Sequence, residues 1–130
     1  MAKFGPKSIA ALETVHPDLR KLAEEAILVM DHSVLEGYRD QAGQDKAFAE
    51  KRSTKQWPNS KHNRLPSPAL DVAPYPIDWK DTAAFARLFG IYEALAFKHG
   101  IKIRWGADWN NNGRTADEKF IDMPHIELIQ

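Results

Sequence analysis

Two histidines and two aspartates occur in an arrangement that is typical of a catalytic metal site. His62 and Asp71 lie close together in the sequence, and Asp122 and His125 lie near the C-terminus. Two imidazoles and one carboxylate are ligands that zinc accepts, and three protein ligands leave a fourth tetrahedral position open for water. Structural zinc sites fill all four positions and usually draw on cysteine, which this chain lacks. We therefore predict a divalent-metal site at His62, Asp71 and His125, with Asp122 as a nearby carboxylate.

The composition of the chain excludes several classes of function. Its 130 residues fit one domain with one hydrophobic core. The 18 basic and 18 acidic residues cancel, which argues against general binding to nucleic acid and against stable association with an anionic membrane. No apolar run reaches the roughly 20 residues of a membrane span, and the N-terminus lacks the apolar region of a signal peptide. We expect a monomer without an export signal of its own.

Hydrophobic periodicity predicts an α+β fold, in which a small, largely antiparallel sheet packs against two or three helices with the metal site on one face. Asp81 is a plausible N-cap, and Gly100 is the expected stop of the longest helix. The other predicted helices cover residues 8–13, 17–30 and 40–51, and the predicted strands cover residues 33–38, 69–73, 101–105 and 125–129. Residues 52–68 are polar and contain prolines, which indicates an ordered surface loop.

Six short motifs occur in a fixed order along the chain. They are Phe4-Gly5-Pro6-Lys7-Ser8, Val15-His16-Pro17-Asp18-Leu19, Gly37-Tyr38-Arg39, Ser60-Lys61-His62-Asn63-x-x-Pro66-Ser67-x-Ala69-x-Asp71, Trp105-Gly106-x-Asp108-Trp109 and Asp122-x-Pro124-His125-x-Glu127-Leu128. Together they resemble the zinc D-alanyl-D-alanine carboxypeptidase and L-alanyl-D-glutamate endopeptidase family, most closely the short form found in phage endolysins. The step from His62 to Asp71 is longer than in much of the wider family, and its Pro-Ser turn resembles the endolysin-like branch.

The resemblance implies a role for each matching residue. His62, Asp71 and His125 would hold zinc, and Asp122 would be the general base that takes a proton from water. Arg39 would stabilise the oxyanion, because its guanidinium stays protonated and offers planar donors to a carbonyl oxygen as that atom gains charge. Simpler interpretations also exist. Asp122 could merely cap the turn before Pro124, and Arg39 could merely pair with a neighbouring carboxylate such as Glu36 or Asp40.

Two further residues are assigned supporting roles. Ser60 would brace the ligand loop or contact substrate. Glu127 follows His125 by two residues and so lies on the same face of a strand, from which it could orient the imidazole.

A second possible metal site, for calcium, lies in residues 108–113. Its candidate ligands are Asp108, Asn110 and Asn112. They alternate along the chain and Gly113 occupies the sixth place, as at the start of an EF-hand loop. Position twelve is Lys119 instead of a bidentate glutamate, although Asp117 or Glu118 could substitute for it. An Asn/Gly-rich hairpin tip explains the same residues without an ion, so both interpretations stay open.

The functional hypothesis is a peptidoglycan-degrading zinc metallopeptidase with one domain over residues 1–130 and no separate cell-wall-binding domain. The resemblance implies that it hydrolyses the L-alanyl-D-glutamate bond of the bacterial stem peptide and so lyses the host cell. We expect synthesis in the host cytoplasm and release to the wall through a membrane lesion made by another protein. The alternatives are a D-alanyl-D-alanine carboxypeptidase or dipeptidase, and a non-catalytic, metal-stabilised module that binds wall peptide.

Overall fold

The structure is a computed structural model that describes residues 2–129. The helices are α1 (Pro6–Leu12), α2 (Pro17–Ala26), α3 (Gln41–Ala49) and α4 (Thr82–His99), and a short 3-10 helix covers Lys61–Asn63. The strands are β1 (His32–Glu36), β2 (Ala69–Pro74), β3 (Ile103–Trp105) and β4 (His125–Leu128). The predicted α+β class is confirmed, and within the described residues each of the four predicted helices and four predicted strands is present, with shifted ends.

Helices α3 and α4 begin at the caps that the sequence provides. The carboxylates of Asp40 and Asp81 accept hydrogen bonds from the main-chain N–H groups of Gly43 (2.8 Å) and Ala84 (3.1 Å). Helix α4 ends at His99, and the next residue, Gly100, has a φ of 68° in the left-handed region that favours glycine. These ends agree with the prediction because capping depends on local sequence.

Helix α2 is shorter than its apolar spacing predicts. It ends at Ala26, and the N–H groups of Val29 and Met30 turn back to the Ala26 carbonyl at 3.0 Å each. Leu28 and Val29 are exposed, whereas Ile27 is buried and Met30 packs against the core. The apolar residues after Ala26 therefore belong to a tight turn, and the predicted extension of the helix to residue 30 is wrong.

The four strands form one antiparallel sheet in the order β1-β2-β4-β3. Strand β4 is the last strand along the chain, yet it lies between β2 and β3. In the β2–β4 pairing, Asp71 is directly opposite His125 and Ala69 is opposite Glu127. Directly opposite residues place their Cβ atoms on the same face about 4.5–5.5 Å apart, so the register alone brings Asp71 and His125 together.

The two faces of the sheet have different chemistry. Leu70, Val72 and Ile126 belong to the hydrophobic core, together with Leu88 and Tyr92 of α4. Burying one such side chain stabilises the fold by roughly 1.5–3 kcal/mol. Because side chains alternate along a strand, the residues between these apolar ones belong to the opposite face. Asp71, His125 and Glu127 belong to that opposite face, beside the small Ala69 and Ala73, and the loop before β2 brings the 3-10 helix to it.

Candidate metal centre and active site

Three donor atoms converge from the 3-10 helix and from strands β2 and β4. His62 Nε2 lies 3.2 Å from His125 Nδ1, and Asp71 Oδ1 lies 3.3 Å from the first nitrogen and 3.4 Å from the second. Bonds of about 2.0–2.1 Å in a tetrahedron keep two ligand atoms about 3.3–3.4 Å apart. The three donors therefore have the spacing that a tetrahedral divalent ion requires.

The hydrogen bonds behind the two imidazoles decide which nitrogens are free. His62 Nδ1 lies 2.7 Å from the Gly37 carbonyl oxygen, and His125 Nε2 lies 2.8 Å from Glu127 Oε1. Only a protonated ring nitrogen can donate to these oxygens, so in the neutral rings His62 Nε2 and His125 Nδ1 carry the lone pairs. Asp71 Oδ1 is buried and has no hydrogen-bond partner among the described residues.

When both rings are neutral, as metal ligation requires, three electron pairs face one another without a donor between them. An unpartnered buried carboxylate oxygen is costly, and a cation at this point removes the cost. The chemistry of the three donors therefore fits a divalent metal.

The charges of the group agree with this fit. Burial by itself would raise the pKa of the Asp71 carboxyl, but the adjacent imidazoles of His62 and His125 hold that pKa well below its usual range. Burial by itself would lower the pKa of His125, but the carboxylates of Asp71 and Glu127 beside it raise that pKa to about 9. In the metal-free protein a proton on His125 therefore balances the carboxylates, and a metal ion would displace that proton.

Asp122 lies beside this group with a free carboxylate. The turn from Asp122 to His125 is closed by the main chain, since His125 N–H donates to the Asp122 carbonyl at 3.1 Å. Within residues 2–129, no hydrogen bond to the Asp122 carboxylate is present, so its side chain does not cap this turn. Burial, and to a smaller extent the charge of Asp71, raise the pKa of Asp122 to about 6 against the lowering effect of the nearby cations. A carboxylate with a pKa near neutrality is suited to proton transfer.

The turn from Asp122 to His125 packs closely against the segment that follows β3, and this close approach depends on Gly106. Asp122 N–H donates to the Gly106 carbonyl at 2.8 Å, and Gly106 N–H donates to the His125 carbonyl at 2.8 Å. A Cβ atom at Gly106 would lie 2.2 Å from the Asp122 carbonyl oxygen, a distance that no packed structure tolerates. Glycine is therefore required here for steric reasons.

Arg39 is buried next to the three donors. Its Nη2 lies 3.8 Å from Asp71 Oδ2, and its main-chain N–H donates to the His62 carbonyl at 2.7 Å. The pairing with Glu36 considered from the sequence also exists, since Nε and Nη2 of Arg39 both donate to Glu36 Oε1. Nη1 donates to Gln44 Oε1 at 2.9 Å. The guanidinium has five N–H groups, so donors remain free after these contacts.

Ser60 caps the 3-10 helix that carries His62. Its hydroxyl oxygen accepts from the His62 main-chain N–H at 3.3 Å, and its own N–H donates to Asn63 Oδ1 at 3.1 Å. This reciprocal pair is a capping box. The contacts agree with the bracing role, and Glu127 contacts His125 as the strand spacing predicts.

Gln44 is a buried polar residue that sequence reasoning missed. Its Oε1 accepts from Arg39 and from Asn63 Nδ2 (3.1 Å), and its Nε2 donates to the Lys55 carbonyl (2.6 Å) and to Ser53 Oγ (3.1 Å). Gln44 and Ala47 are the buried residues of α3. The sequence carries no signal for this role, because a glutamine on a helix is usually exposed and here loops from elsewhere in the chain cover it.

The candidate calcium loop is closed by its own hydrogen bonds. Asp108 Oδ1 and Oδ2 accept from the main-chain N–H groups of Asn112 (3.1 Å) and Gly113 (2.8 Å). The side-chain amides of Asn110 and Asn112 donate to Asp117 Oδ2 at 3.3 and 2.6 Å. This arrangement explains the loop as an Asx-stabilised turn. Calcium binding stays a prediction.

The comparisons with known proteins agree with this site. A family model described as phage L-alanyl-D-glutamate peptidase matches residues 1–129. The L-alanyl-D-glutamate peptidase of Escherichia phage T5 is 36% identical over 135 residues, covering 98% of this chain and 98% of that protein. The crystal structure of the L-Ala D-Glu endopeptidase ChiX of Serratia marcescens matches with a TM-score of 0.76 and 26% identity, covering 98% of this chain and 90% of that one.

The fold and the matches together define a peptidase. More particularly, the chain belongs to the phage L-alanyl-D-glutamate peptidase family. The resemblance seen in the sequence motifs is therefore confirmed.

Proposed function

We propose that this protein is a zinc-dependent endopeptidase that hydrolyses the L-alanyl-D-glutamate bond of the peptidoglycan stem peptide and so lyses the bacterial cell. The observation that carries the proposal is the unpartnered Asp71 Oδ1 within 3.4 Å of His62 Nε2 and His125 Nδ1, in a chain of this peptidase family. Zinc is favoured because two imidazoles and a carboxylate suit it, although ligand type alone also admits other divalent ions. Family membership favours the endopeptidase over the D-alanyl-D-alanine carboxypeptidase and over a non-catalytic module.

Asp122 is proposed to move the proton during hydrolysis. A bound zinc ion supplies Lewis-acid polarisation of the scissile carbonyl and lowers the pKa of water. The Asp122 carboxylate accepts a proton from the attacking water and then delivers it to the leaving amine of D-glutamate. The water oxygen forms the new bond to the L-alanyl carbonyl carbon as the amide C–N bond breaks. The pKa of Asp122, raised to about 6 by burial, supports both halves of this transfer.

Arg39 is proposed to stabilise negative charge on the carbonyl oxygen. Its contacts to Glu36 and Gln44 hold the guanidinium plane, so its remaining donors require little reorganisation when that charge develops. The guanidinium is buried beside Asp71, where an electrostatic contact is stronger than in water. Ser60 is proposed to hold His62 in place through the cap of the 3-10 helix, and Glu127 is proposed to orient His125 through its contact with Nε2.

The experiment that tests the function is mass spectrometry of fragments released from purified peptidoglycan, with His62→Ala protein as the control. New N-terminal D-glutamate or its amide, beside new L-alanine C-termini and absent from the control, is the expected result. Release of terminal D-alanine alone would assign the protein to the carboxypeptidases. No cleavage by protein that has bound zinc would favour the non-catalytic binding module.

Replacing Gln44 by methionine tests whether Arg39 needs its buried support. The substitution keeps the side-chain length but leaves Arg39 Nη1 without a partner, at roughly 1–3 kcal/mol for such a group, and removes one hydrogen bond each from Asn63 Nδ2 and the Lys55 carbonyl. We expect a lower melting temperature and a kcat reduced by about tenfold or more, with zinc affinity near that of the wild type.

The matched comparison is the effect of Gln44→Met on kcat, measured by steady-state kinetics in the wild type and in the Arg39→Ala variant. If Gln44 acts through Arg39, Gln44→Met causes little further loss of kcat in the Arg39→Ala background. Equal losses in both backgrounds would show that Gln44 acts in another way. Gln41→Met on the exposed side of the same helix is the control for the substitution itself.

The calcium hypothesis for Asp108, Asn110 and Asn112 is tested by thermal unfolding. It predicts that millimolar calcium raises the melting temperature of the wild type more than magnesium does, because an ion that binds only the folded state stabilises it. Asp117→Ala, which removes the carboxylate shared by both asparagine amides, should abolish the increase. Identical thermal unfolding curves with and without calcium would contradict the calcium hypothesis and favour the turn.

The proposed substrate lies outside the cytoplasmic membrane, which bears on how the enzyme reaches it. None of the helices within residues 2–129 combines the length and apolar character that a membrane span needs. We propose that the protein is made in the host cytoplasm and reaches peptidoglycan through a lesion made by another protein. Lysis that depends on co-expression of a membrane-permeabilising protein would support this route.

A further inference from the structure

Lys61 links two elements that carry proposed metal ligands. It directly precedes His62 in the 3-10 helix, and its Nζ donates to the Leu128 carbonyl at 2.7 Å and contacts Glu127 Oε2 at 2.9 Å. Both acceptors belong to β4, the strand that carries His125. The Lys61 side chain is 23% exposed, so this contact is partly shielded from water.

Other polar contacts of this 3-10 helix lead elsewhere. The His62 ring and main chain contact Gly37 and Arg39, and Asn63 contacts Arg39 and Gln44. These contacts tie the ligand loop to α3 and to the segment between β1 and α3. Apart from the imidazole pair itself, the hydrogen bonds and ion pairs from residues 60–63 to β4, among those the structure describes, are the ones made by Lys61.

Arg104 provides a natural comparison. It also contacts Glu127 Oε2, at 2.8 Å from Nη2, and its side chain is 31% exposed. Arg104 lies on β3, where it pairs directly with Glu127 in the β3–β4 ladder. It therefore places a positive charge on the same carboxylate oxygen as Lys61, but it does not connect β4 to the loop that carries His62.

We propose that Lys61 is a positioning residue that holds His62 at the correct distance from His125 and thereby sets the affinity for the metal. This inference rests on the proposed metal centre. A tetrahedral ion needs its donors within a few tenths of an ångström of their places, and partners outside the ligand set commonly change metal affinity by about 10–100-fold. Lys61 connects the 3-10 helix that carries His62 to β4 through its aliphatic chain and ammonium group. Glu127 contacts both Lys61 and His125, so it extends this connection to the second imidazole.

The charge of Lys61 and its position in the structure predict opposite effects of Lys61→Met on zinc affinity. A cation near a divalent ion repels it, so charge alone would make zinc bind more tightly after Lys61→Met and after Arg104→Met. Loss of the link between loop and strand would instead weaken zinc binding in Lys61→Met only. The pair of variants therefore separates the positioning role from a simple electrostatic one.

The test is zinc affinity, measured by competition with a chromophoric chelator for the wild type, Lys61→Met and Arg104→Met. We expect zinc affinity to fall about tenfold or more in Lys61→Met and to stay within about threefold of the wild type, or to rise, in Arg104→Met. The metal-free melting temperatures of the two variants should be similar. At saturating cobalt, the visible spectrum of Lys61→Met should also be altered, because cobalt absorption reports on the coordination geometry.

Three results would overturn the proposal. They are unchanged or tighter zinc binding in Lys61→Met, an equal loss in both variants, and a loss explained by a lower metal-free melting temperature of Lys61→Met alone. A wild type that binds no zinc would instead contradict the metal centre itself. The failure of the two proposals is therefore distinguishable. Should Lys61→Met not fold, Lys61→Gln, which keeps a donor for Leu128 without the charge, should retain more zinc affinity than Lys61→Ala.

Discussion

Asp122→Asn protein is expected to fold and bind zinc but to lose about 10²–10⁴-fold in kcat, the range that positioned general acid–base groups contribute. Asparagine has nearly the shape of aspartate but cannot accept the proton. The main-chain hydrogen bonds that shape the turn, from Asp122 N–H to Gly106 and from His125 N–H to Asp122, do not involve the carboxylate and should survive. Turnover of a stem-peptide substrate and zinc content of the same preparation are the measurements.

The matched control is Asp45→Asn, which removes a carboxylate from the exposed face of α3. It should leave kcat unchanged, because Asp45 lies away from the donor group. A kcat for Asp122→Asn within about threefold of the wild type would remove Asp122 from the mechanism. A loss of zinc in parallel with activity would instead give Asp122 a role in holding the site.

Asp71→Asn is expected to abolish activity by removing the metal. The amide oxygen is neutral, so it no longer balances the charge of the ion, and zinc affinity should fall by more than the roughly 10–100-fold seen for outer contacts. The wild type should be stabilised by zinc, by about 2.7 kcal/mol when the free ion exceeds its dissociation constant a hundredfold. Thermal unfolding with and without zinc measures this gain, which Asp71→Asn should lack.

Chelation of the wild type provides the control for this result. Removing zinc should abolish turnover and lower the melting temperature, and adding zinc back should restore both. An Asp71→Asn protein that gains as much stability from zinc as the wild type does would show that the ion binds elsewhere. Full activity in an excess of a strong chelator would contradict the metal-dependent mechanism.

Much of this architecture is visible in the sequence because its signals are local. The end of α4 follows from Gly100, and the start of β2 follows from the apolar run after the prolines. Motif order also selected His62, Asp71 and His125, which the structure brings within 3.4 Å of one another. The ordered set of motifs carries this information at the level of sequence, because each ligand lies within one of them.

The parts that escaped prediction depend on contacts between distant segments. Gln44 is buried by residues 53–55 and 63, and Lys61 meets β4 more than sixty residues away, as its contact with Leu128 shows. Glutamine and lysine are usually exposed, so neither pattern nor propensity indicates these roles.

The central place of β4 couples catalysis to completion of the fold. Since β4 is the last strand along the chain and lies between β2 and β3, a growing polypeptide has a gap in its sheet until residues 125–128 emerge from the ribosome. The same residues supply His125, so partly synthesised chains lack both a closed sheet and a complete donor set. The structural contribution of β4 and its contribution to the proposed metal site are therefore gained together and lost together.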